Sequence, residues 1–311
     1  MSRFEIINPG MLTTYQDLGR PEMLQYALSI SGAMDQTSLQ IINCLLNNPP
    51  GAAALEVTLL GLKLKSMDEA LIAVGGADLG FEINGRKAAL WTVHHLEKED
   101  VVSFKLPQKG LRAYLGVAGG FNGPQILGSC SVYLKGHLGS ALKQGDIITS
   151  LAPPTPLPDT GRKVAPSHYP DLDTSKSFRV LPGPQIDHFS DVGLATFTES
   201  MYTVSTMSDR QGIRTEGTPV ERLHGPDIIT DPIPLGGIQV PGNGLPIILH
   251  RDAQVTGGYS KIAVLARVDL DRAGQLMPGD QIRFRFIEYQ EALDLWAQQT
   301  RLLAEVQNAW R

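Results

Sequence analysis

Short runs of apolar residues, separated by glycine and proline, recur along the chain. Runs of this kind are typical of β-strands, and clear examples are residues 71–74, 101–104 and 111–115. Asn84-Gly85 predicts a tight hairpin turn, because both residue types tolerate a positive φ. The 32 glycines and 21 prolines provide the breaks between the runs. The pattern predicts a mainly β protein with a few helices.

Two stretches show the spacing of an amphipathic helix instead. The first follows Asp35, whose carboxylate can cap a helix, and stops at Asn48-Pro49-Pro50, where proline cannot continue the helical hydrogen bonds. The second covers residues 288–311, where an apolar stripe includes Trp296 and Trp310. We expect this C-terminal helix to dock on the second domain or on a partner.

The domain organisation follows from length and from one change in composition. A chain of 311 residues exceeds the length at which single cores usually stop growing, which favours two domains. Residues 151–177 are rich in proline, aspartate, threonine and serine, as is typical of a linker. We therefore predict a first β domain over residues 1–155, a linker over 156–177, a second β domain over 178–287 and the helix over 288–311.

Charge and composition narrow the range of partners. The formal net charge is −5, and no cluster of lysine and arginine is dense enough to follow a phosphate backbone. These features argue against a nucleic-acid partner and favour a small molecule or another protein. The start of the chain lacks the apolar stretch of a signal peptide, and nowhere do about 18 apolar residues run together. The expected location is the cytoplasm, without membrane attachment.

Cysteine and histidine give no metal or disulfide signal. Cys44 and Cys130 are far apart in sequence, so they form neither a disulfide framework nor a Cys-x-x-Cys metal motif. His94 and His95 are adjacent on a predicted strand, where their side chains point to opposite faces and cannot readily share one ion. We therefore predict that the protein has no metal site.

Common catalytic signatures are also absent from the sequence. It has no phosphate-binding G-x-x-x-x-G-K-[ST] loop, no H-E-x-x-H helix and no G-x-S-x-G elbow. It also lacks the Ala-Met-Lys-Met sequence typical of biotin attachment. Biotin, if the protein uses it, must be carried by another chain.

Polar residues that could carry chemistry cluster in four segments of the chain. The first segment offers Asp17 and Arg20, followed by Ser31 and Asp35, and a loop ion pair with a helix cap is the reading that the pattern favours. In the second, Asp209 adjoins Arg210, and Arg214 follows. Arginines can present planar donor groups to a carboxylate or a ureido oxygen, although Asp209 and Arg210 could equally form a surface turn.

The other two segments lie later in the chain. Gln239 stands in a glycine-rich stretch, whose backbone could approach a ligand or simply form a loop between strands. Asp252, Gln254 and Thr256 alternate along a predicted strand, which would place their side chains on one face. The stretch ends in Gly257, Gly258 and Tyr259. This row favours a binding surface over a solvent-facing strand.

Several of these segments together resemble the biotin-dependent carboxyltransferase-like family, also called the allophanate hydrolase subunit 2 family. The similar segments follow one another from about Gly10 to Phe286, which makes chance an unsatisfactory explanation. They comprise Thr13–Pro21, Ser31–Asp35, Ala54–Glu56, Gly76–Asp78, Gly119-Gly120, Leu127–Ser129, Pro182–Gln185, Ser208–Gly212 and Asp252–Tyr259. The chain departs from the family pattern at Gln211, Val255 and Ser260.

The resemblance implies two cyclophilin-like β-barrel domains and a B-type partner subunit of related fold. It also implies a role as the C-type subunit of a 5-oxoprolinase, in which an A-type subunit takes part and ATP drives hydrolysis of a lactam. The ATP site would lie on this chain or on a partner. Arg210, Gln254 and Asp252 are then the expected catalytic residues, since donors are needed where charge develops on an amide-type oxygen. The expected substrate-binding residues are Asp17, Arg20, Ser31, Asp35, Asp209, Arg214, Gln239, Thr256, Gly257, Gly258 and Tyr259.

Two other functions agree with the same resemblance. The chain could be a carboxyltransferase subunit acting on urea or a related amide, with biotin carried by a separate chain. It could also be a binding protein without catalytic activity that antagonises a kinase inhibitor. A free-standing chain, without an attached carboxylase, biotin-carrier or amidase domain, favours the 5-oxoprolinase function.

Overall fold

The computed structural model describes residues 1–310, which form two compact units. Unit 1 comprises residues 1–20, 31–172 and the chain from residue 301 onward, and unit 2 comprises residues 21–30 and 173–300. Both units are built mainly from β-strands, which confirms the predicted fold class. The more specific cyclophilin-like assignment stays a prediction.

Unit 1 contains two antiparallel sheets, a helix near its N-terminal end and the last turns of the C-terminal helix. The six-stranded sheet has the order β11-β1-β4-β9-β6-β7, and the five-stranded sheet has the order β2-β3-β10-β5-β8. The elements are β1 (Arg3–Pro9), β2 (Leu12–Gln16), α1 (Gln36–Leu45), β3 (Ala54–Thr58), β4 (Leu62–Ser66), β5 (Ala70–Asp78), β6 (Glu82–Ile83), β7 (Arg86–Lys87), β8 (Val93–Leu96), β9 (Val101–Ser103), β10 (Lys109–Val117) and β11 (Ile147–Thr149).

Local sequence signals account for several of these elements. The three strands predicted from apolar runs correspond to β5, β9 and β10. Asn84 and Gly85 join β6 to β7 with φ angles of 53° and 73°, as the hairpin signal predicts. The core combines side chains from both sheets, such as Leu64 of β4 with Leu55 of β3 and Leu115 of β10. Burying each such side chain contributes about 1.5–3 kcal/mol.

Unit 2 contains an eight-stranded sheet, a two-stranded ribbon and helices. The large sheet has the order β20-β13-β14-β17-β16-β19-β12-β21, and the ribbon pairs β15 with β18. The elements are β12 (Phe178–Pro182), α2 (Asp191–Glu199), β13 (Tyr202–Val204), β14 (Gly212–Glu216), β15 (Asp227–Pro232), β16 (Gly237–Gln239), β17 (Ile247–Leu249), β18 (Thr256–Tyr259), β19 (Lys261–Leu265), α3 (Leu270–Ala273), β20 (Gln281–Ile282), β21 (Phe284–Phe286) and α4 (Tyr289–Asn308).

The large sheet of unit 2 curls into a nearly closed barrel. Its two end strands, β20 and β21, are separated in the chain by Arg283 alone, so the two edges of the sheet must lie close together. Aromatic side chains fill this region, where the rings of Phe197 and Phe284 stack with their centroids 4.5 Å apart. Barrel closure removes exposed strand edges, which otherwise invite aggregation.

The proline-rich segment predicted as a linker packs on unit 1 over part of its length. The Val93 N–H donates to the Arg162 carbonyl at 2.8 Å, and the Val164 N–H donates to the Trp91 carbonyl at 3.1 Å. The ring of Tyr169 also stacks on Trp91. The change from unit 1 to unit 2 comes after Leu172, within the predicted linker.

Helix α4 confirms the helix predicted near the C-terminus, and Arg311 lies outside the described residues. We expected this helix to dock on the second domain or on a partner. Residues 289–300 of the helix belong to unit 2, and its last turns belong to unit 1, where Val306 is buried in a core cluster and Trp310 lies against the Arg162 guanidinium. In unit 2, Trp296 contacts the Arg267 guanidinium.

No helix among residues 1–310 is both long and apolar enough to cross a membrane.

Candidate functional site

The Asp17 carboxylate is a buried acceptor in unit 1. It accepts hydrogen bonds from the Gly19 N–H at 2.7 Å, the Ser129 hydroxyl at 2.6 Å, the Cys130 N–H at 2.7 Å and the Ser131 hydroxyl at 2.5 Å. Burial, followed by the nearby charge of Asp17, raises the pKa of the Cys130 thiol. This network ties the end of β2 to residues 129–131, which is a structural arrangement.

Arg20 and Ser31, the next predicted site residues, point to the same loop. An Arg20 Nη2 group donates to the Ser131 carbonyl at 2.5 Å. Ser31 has a φ of 57° and its hydroxyl donates to the Val132 carbonyl at 3.3 Å. Both side chains are buried. The structure therefore brings Asp17, Arg20 and Ser31 together around residues 129–132.

Asp35 caps helix α1, as the sequence pattern predicts. Its carboxylate accepts from the Ser38 N–H at 2.9 Å and from the Ser38 hydroxyl at 2.6 Å. The Asp35 N–H donates to the Tyr114 hydroxyl, which donates in turn to Glu56, both at 2.8 Å. Burial and the neighbouring Glu56 carboxylate raise the pKa of Tyr114 well above its usual value. A substrate-binding role for Asp35 stays a prediction.

We expect Asp17→Asn to lower the free energy of unfolding by about 2–3 kcal/mol, because an amide cannot accept all four hydrogen bonds and leaves buried donors unpaired. The measurement is urea denaturation followed by circular dichroism. Asp159→Asn is the matched control, since that side chain is 93% exposed and its loss should change stability by less than about 0.5 kcal/mol. Equal stabilities for the two variants would contradict the structural role of Asp17.

In unit 2, Arg210 and Asp252 form a buried two-point ion pair. The Arg210 Nε and Nη2 groups donate to the two oxygens of Asp252 at 2.9 and 3.1 Å. The Asp252 N–H also donates to the Arg210 carbonyl at 3.0 Å. Planar arginine donors match a carboxylate in this way, so the pair fixes both backbones. Arg210 therefore acts at least as a positioning residue for the Asp252 turn.

The residues beside Arg210 have separate roles. The Asp209 carboxylate accepts from the Gln211 N–H at 2.8 Å and from the Gly212 N–H at 3.1 Å, so it forms the surface turn that the sequence left open as an alternative. Arg214 lies on β14 with an exposed side chain, and within residues 1–310 no hydrogen bond joins that side chain to Arg210.

The predicted row of Asp252, Gln254 and Thr256 along one strand is wrong. The strand β18 begins only at Thr256, and Asp252 lies in a turn in which the Ala253 N–H donates to the His250 carbonyl. The side chains differ accordingly, with Asp252 buried and Gln254 exposed. The alternation rule fails because it applies to extended backbone alone. Thr256, Gly257, Gly258 and Tyr259 do lie together on β18.

Gln254 presents an available donor group at the surface of unit 2. Its Oε1 atom accepts a hydrogen bond from the Gln211 Nε2 group at 3.0 Å. In the described part of the chain, the Nε2 group of Gln254 has no hydrogen-bond partner. An amide N–H held in this way can donate to an oxygen of a ligand. Of the predicted catalytic residues, Gln254 has the geometry that fits a contact with substrate.

Three residues that the sequence reasoning missed support this region. The Ser29 hydroxyl donates to the Ala253 carbonyl at 2.6 Å. The His250 Nε2–H donates to the Leu270 carbonyl, and the Arg251 N–H donates to His250 Nδ1, both at 2.9 Å. Lys261 is fully buried. A lysine directly before the apolar run 262–265 was a readable signal, whereas nothing marks Ser29.

Comparisons with known proteins place the chain in a family. The model of the carboxyltransferase domain, subdomain A and B, matches residues 26–286. The chain therefore belongs to the carboxyltransferase domain family, and the predicted family membership is confirmed.

Among residues 1–310, no cluster of three or more histidine, cysteine, aspartate or glutamate side chains could hold a metal ion.

Individual relatives agree with this assignment. The C-type subunit of 5-oxoprolinase from Escherichia coli (strain K12) is 35% identical and matches 99% of this chain and 98% of its own length. The urea amidolyase of Lachancea kluyveri is 29% identical, but the match covers 17% of that longer protein. The crystal structure of the Kluyveromyces lactis urea carboxylase has a TM-score of 0.89 at 30% identity, covering 98% of this chain and 29% of that one.

Proposed function

We propose that this chain is the C-type subunit of a 5-oxoprolinase complex and contributes to the ATP-dependent hydrolysis of 5-oxo-L-proline to L-glutamate. The observation that carries the proposal is coverage in both directions. The chain and the C-type subunit of the E. coli 5-oxoprolinase match over 99% and 98% of their lengths, whereas the match covers 17% of the Lachancea kluyveri urea amidolyase.

The chemistry of lactam hydrolysis fits the Gln254 region. Attack on a lactam carbonyl places negative charge on its oxygen, and oriented N–H donors stabilise that charge. The Nε2 group of Gln254 is the donor of the proposed site, and Gly257 and Gly258 follow it on strand β18. Arg210 and Asp252 position the turn that carries Gln254, with two hydrogen bonds between their side chains.

The proposal includes two partners and one cofactor. The A-type and B-type subunits complete the enzyme, and the B-type subunit has a related fold. ATP activates the lactam and binds on this chain or on a partner subunit. The expected location of the complex is the cytoplasm.

Reconstitution tests the proposal directly. Co-expression with candidate A-type and B-type proteins should give a joint peak in size-exclusion chromatography, and the complex should form L-glutamate from 5-oxo-L-proline with consumption of ATP. Matched controls omit ATP or this chain, and each should abolish product formation. A complex that assembles but forms no glutamate would contradict the proposed reaction, and separate elution of the subunits would contradict the complex.

Carboxyl transfer is the second candidate, and the family assignment favours it, because the matching model describes a carboxyltransferase domain. In this reaction a separate chain carries carboxybiotin, and the site stabilises the ureido oxyanion while the carboxyl group leaves. The test supplies a carboxylated biotin carrier with urea. Transfer of labelled carboxyl to urea, without any activity on 5-oxo-L-proline, would replace the first proposal.

A further inference from the structure

Two polar side chains are buried side by side in the large sheet of unit 2. Gln239 of β16 lies opposite Lys261 of β19, which places both side chains on one face of the sheet. The register shifts between Ile238 and Gln239, and such a bulge changes the direction of neighbouring side chains. Lys261 is fully buried and Gln239 is 3% exposed.

Both side chains have more donor capacity than the surrounding protein uses. Within residues 1–310, the Lys261 ammonium donates one hydrogen bond, to Asp231, although it has three N–H groups. The buried Nε2 group of Gln239 has no hydrogen-bond partner there. Nearly all buried donors in proteins are paired, because an unpaired one lowers stability. A leucine at position 239 would avoid that loss, so a stability role does not explain Gln239.

The ribbon of β15 and β18 covers this pair. Asp231 lies opposite Gly257 in the ribbon. The Asp231 carboxylate accepts a hydrogen bond from the Lys261 ammonium. Gly257 lies close to the Gln239 side chain, because a Cβ atom at position 257 would be 2.8 Å from the Gln239 Nε2 group. The Gln239–Lys261 pair of the sheet therefore faces the Asp231–Gly257 pair of the ribbon. The first pair carries the hydrogen-bond donors, and the second carries the carboxylate.

The Asp231 carboxylate is bound as a small anion would be. One oxygen accepts from the Lys261 ammonium, and the other accepts from the Gln185 Nε2 group at 2.9 Å. Asp231 itself belongs to a ribbon of two strands outside the main sheet, in which Ile229 is 94% exposed. An isolated two-stranded ribbon has little stability of its own and can move at low cost.

We propose that Gln239 and Lys261 bind the carboxylate group of a small ligand, which displaces Asp231 from the Lys261 ammonium. An ammonium beside an amide N–H offers one donor to each carboxylate oxygen, and hydrogen bonds from a charged donor are the stronger kind. Asp231 keeps the buried ammonium paired until the ligand replaces it. The choice of ligand rests on the proposed function, since 5-oxo-L-proline carries a lactam and a carboxylate.

The test measures binding of L-5-oxoproline to the full-length protein by ligand-detected NMR titration. The control ligand, 2-pyrrolidinone, has the same lactam ring without the carboxylate and should bind at least about tenfold more weakly. Gln239→Leu should also bind L-5-oxoproline at least about tenfold more weakly, with an unchanged or higher melting temperature, because it removes an unpaired buried amide. Asp231→Asn should bind it about tenfold more tightly, because the internal competitor loses its charge.

A purely structural cluster predicts the opposite results. Equal affinity for 2-pyrrolidinone, unchanged binding by Gln239→Leu, or no gain of affinity in Asp231→Asn would overturn this inference, as would the absence of L-5-oxoproline binding. The proposed function is tested separately by glutamate formation in the reconstituted complex. An inactive complex in which this chain still shows these affinity changes would overturn the reaction and leave the carboxylate site intact.

Discussion

Gln254→Ala should lower kcat of the reconstituted complex by about two orders of magnitude, as loss of one donor to a developing oxyanion does. The reason is the position of its Nε2 group, which is exposed in unit 2 and has no hydrogen-bond partner within residues 1–310. The side chain lies at the surface, so the variant should fold normally. Steady-state kinetics of ATP-dependent glutamate formation, with circular dichroism of the isolated chain, measure both effects.

Gln211→Ala is the matched control for this variant. It removes the same hydrogen bond between Gln211 and Gln254 but keeps the Gln254 amide. A single exposed hydrogen bond contributes about 0.5–1 kcal/mol, so kcat should fall by less than about fivefold. If Gln254→Ala and Gln211→Ala have equal effects, Gln254 supports the turn and has no direct contact with the reacting oxygen.

Arg210→Ala should lower the free energy of unfolding by about 3–5 kcal/mol, since it removes two charged hydrogen-bond donors from the buried Asp252 carboxylate. Both side chains of the pair are 8% exposed, and two hydrogen bonds join them. Urea denaturation of the isolated chain measures the loss. Any fall in kcat of this variant must therefore be measured under conditions in which the chain is folded.

The double variant Arg210→Met/Asp252→Leu separates the ion pair from the cost of an unpaired charge. Replacing a buried pair by apolar residues of similar size is often neutral or stabilising, so this variant should recover most of the stability lost in Arg210→Ala. Its activity should stay low, because the turn loses the contacts that hold Gln254. A double variant as unstable as Arg210→Ala would mean that unit 2 depends on the charges themselves.

Features set by neighbouring residues could be predicted from the sequence. The turn at Asn84-Gly85, the helix capped by Asp35 and the C-terminal helix all depend on residues within a few positions of one another. Apolar runs identified β5, β9 and β10 for the same reason. The order of similar segments along the chain gave the family, which the match over residues 26–286 confirms.

Features set by contacts between distant residues could not be predicted. Asp252 leaves the extended conformation to bind Arg210, 42 positions away, and this turn ended the predicted strand. Residues 21–30 belong to unit 2, where Ser29 bonds to Ala253, 224 positions along the chain. The pairing of Lys261 with Asp231 arises only when the ribbon folds over the sheet. Local propensities act between near neighbours, whereas burial and ion pairing depend on which distant segments the folded chain brings together.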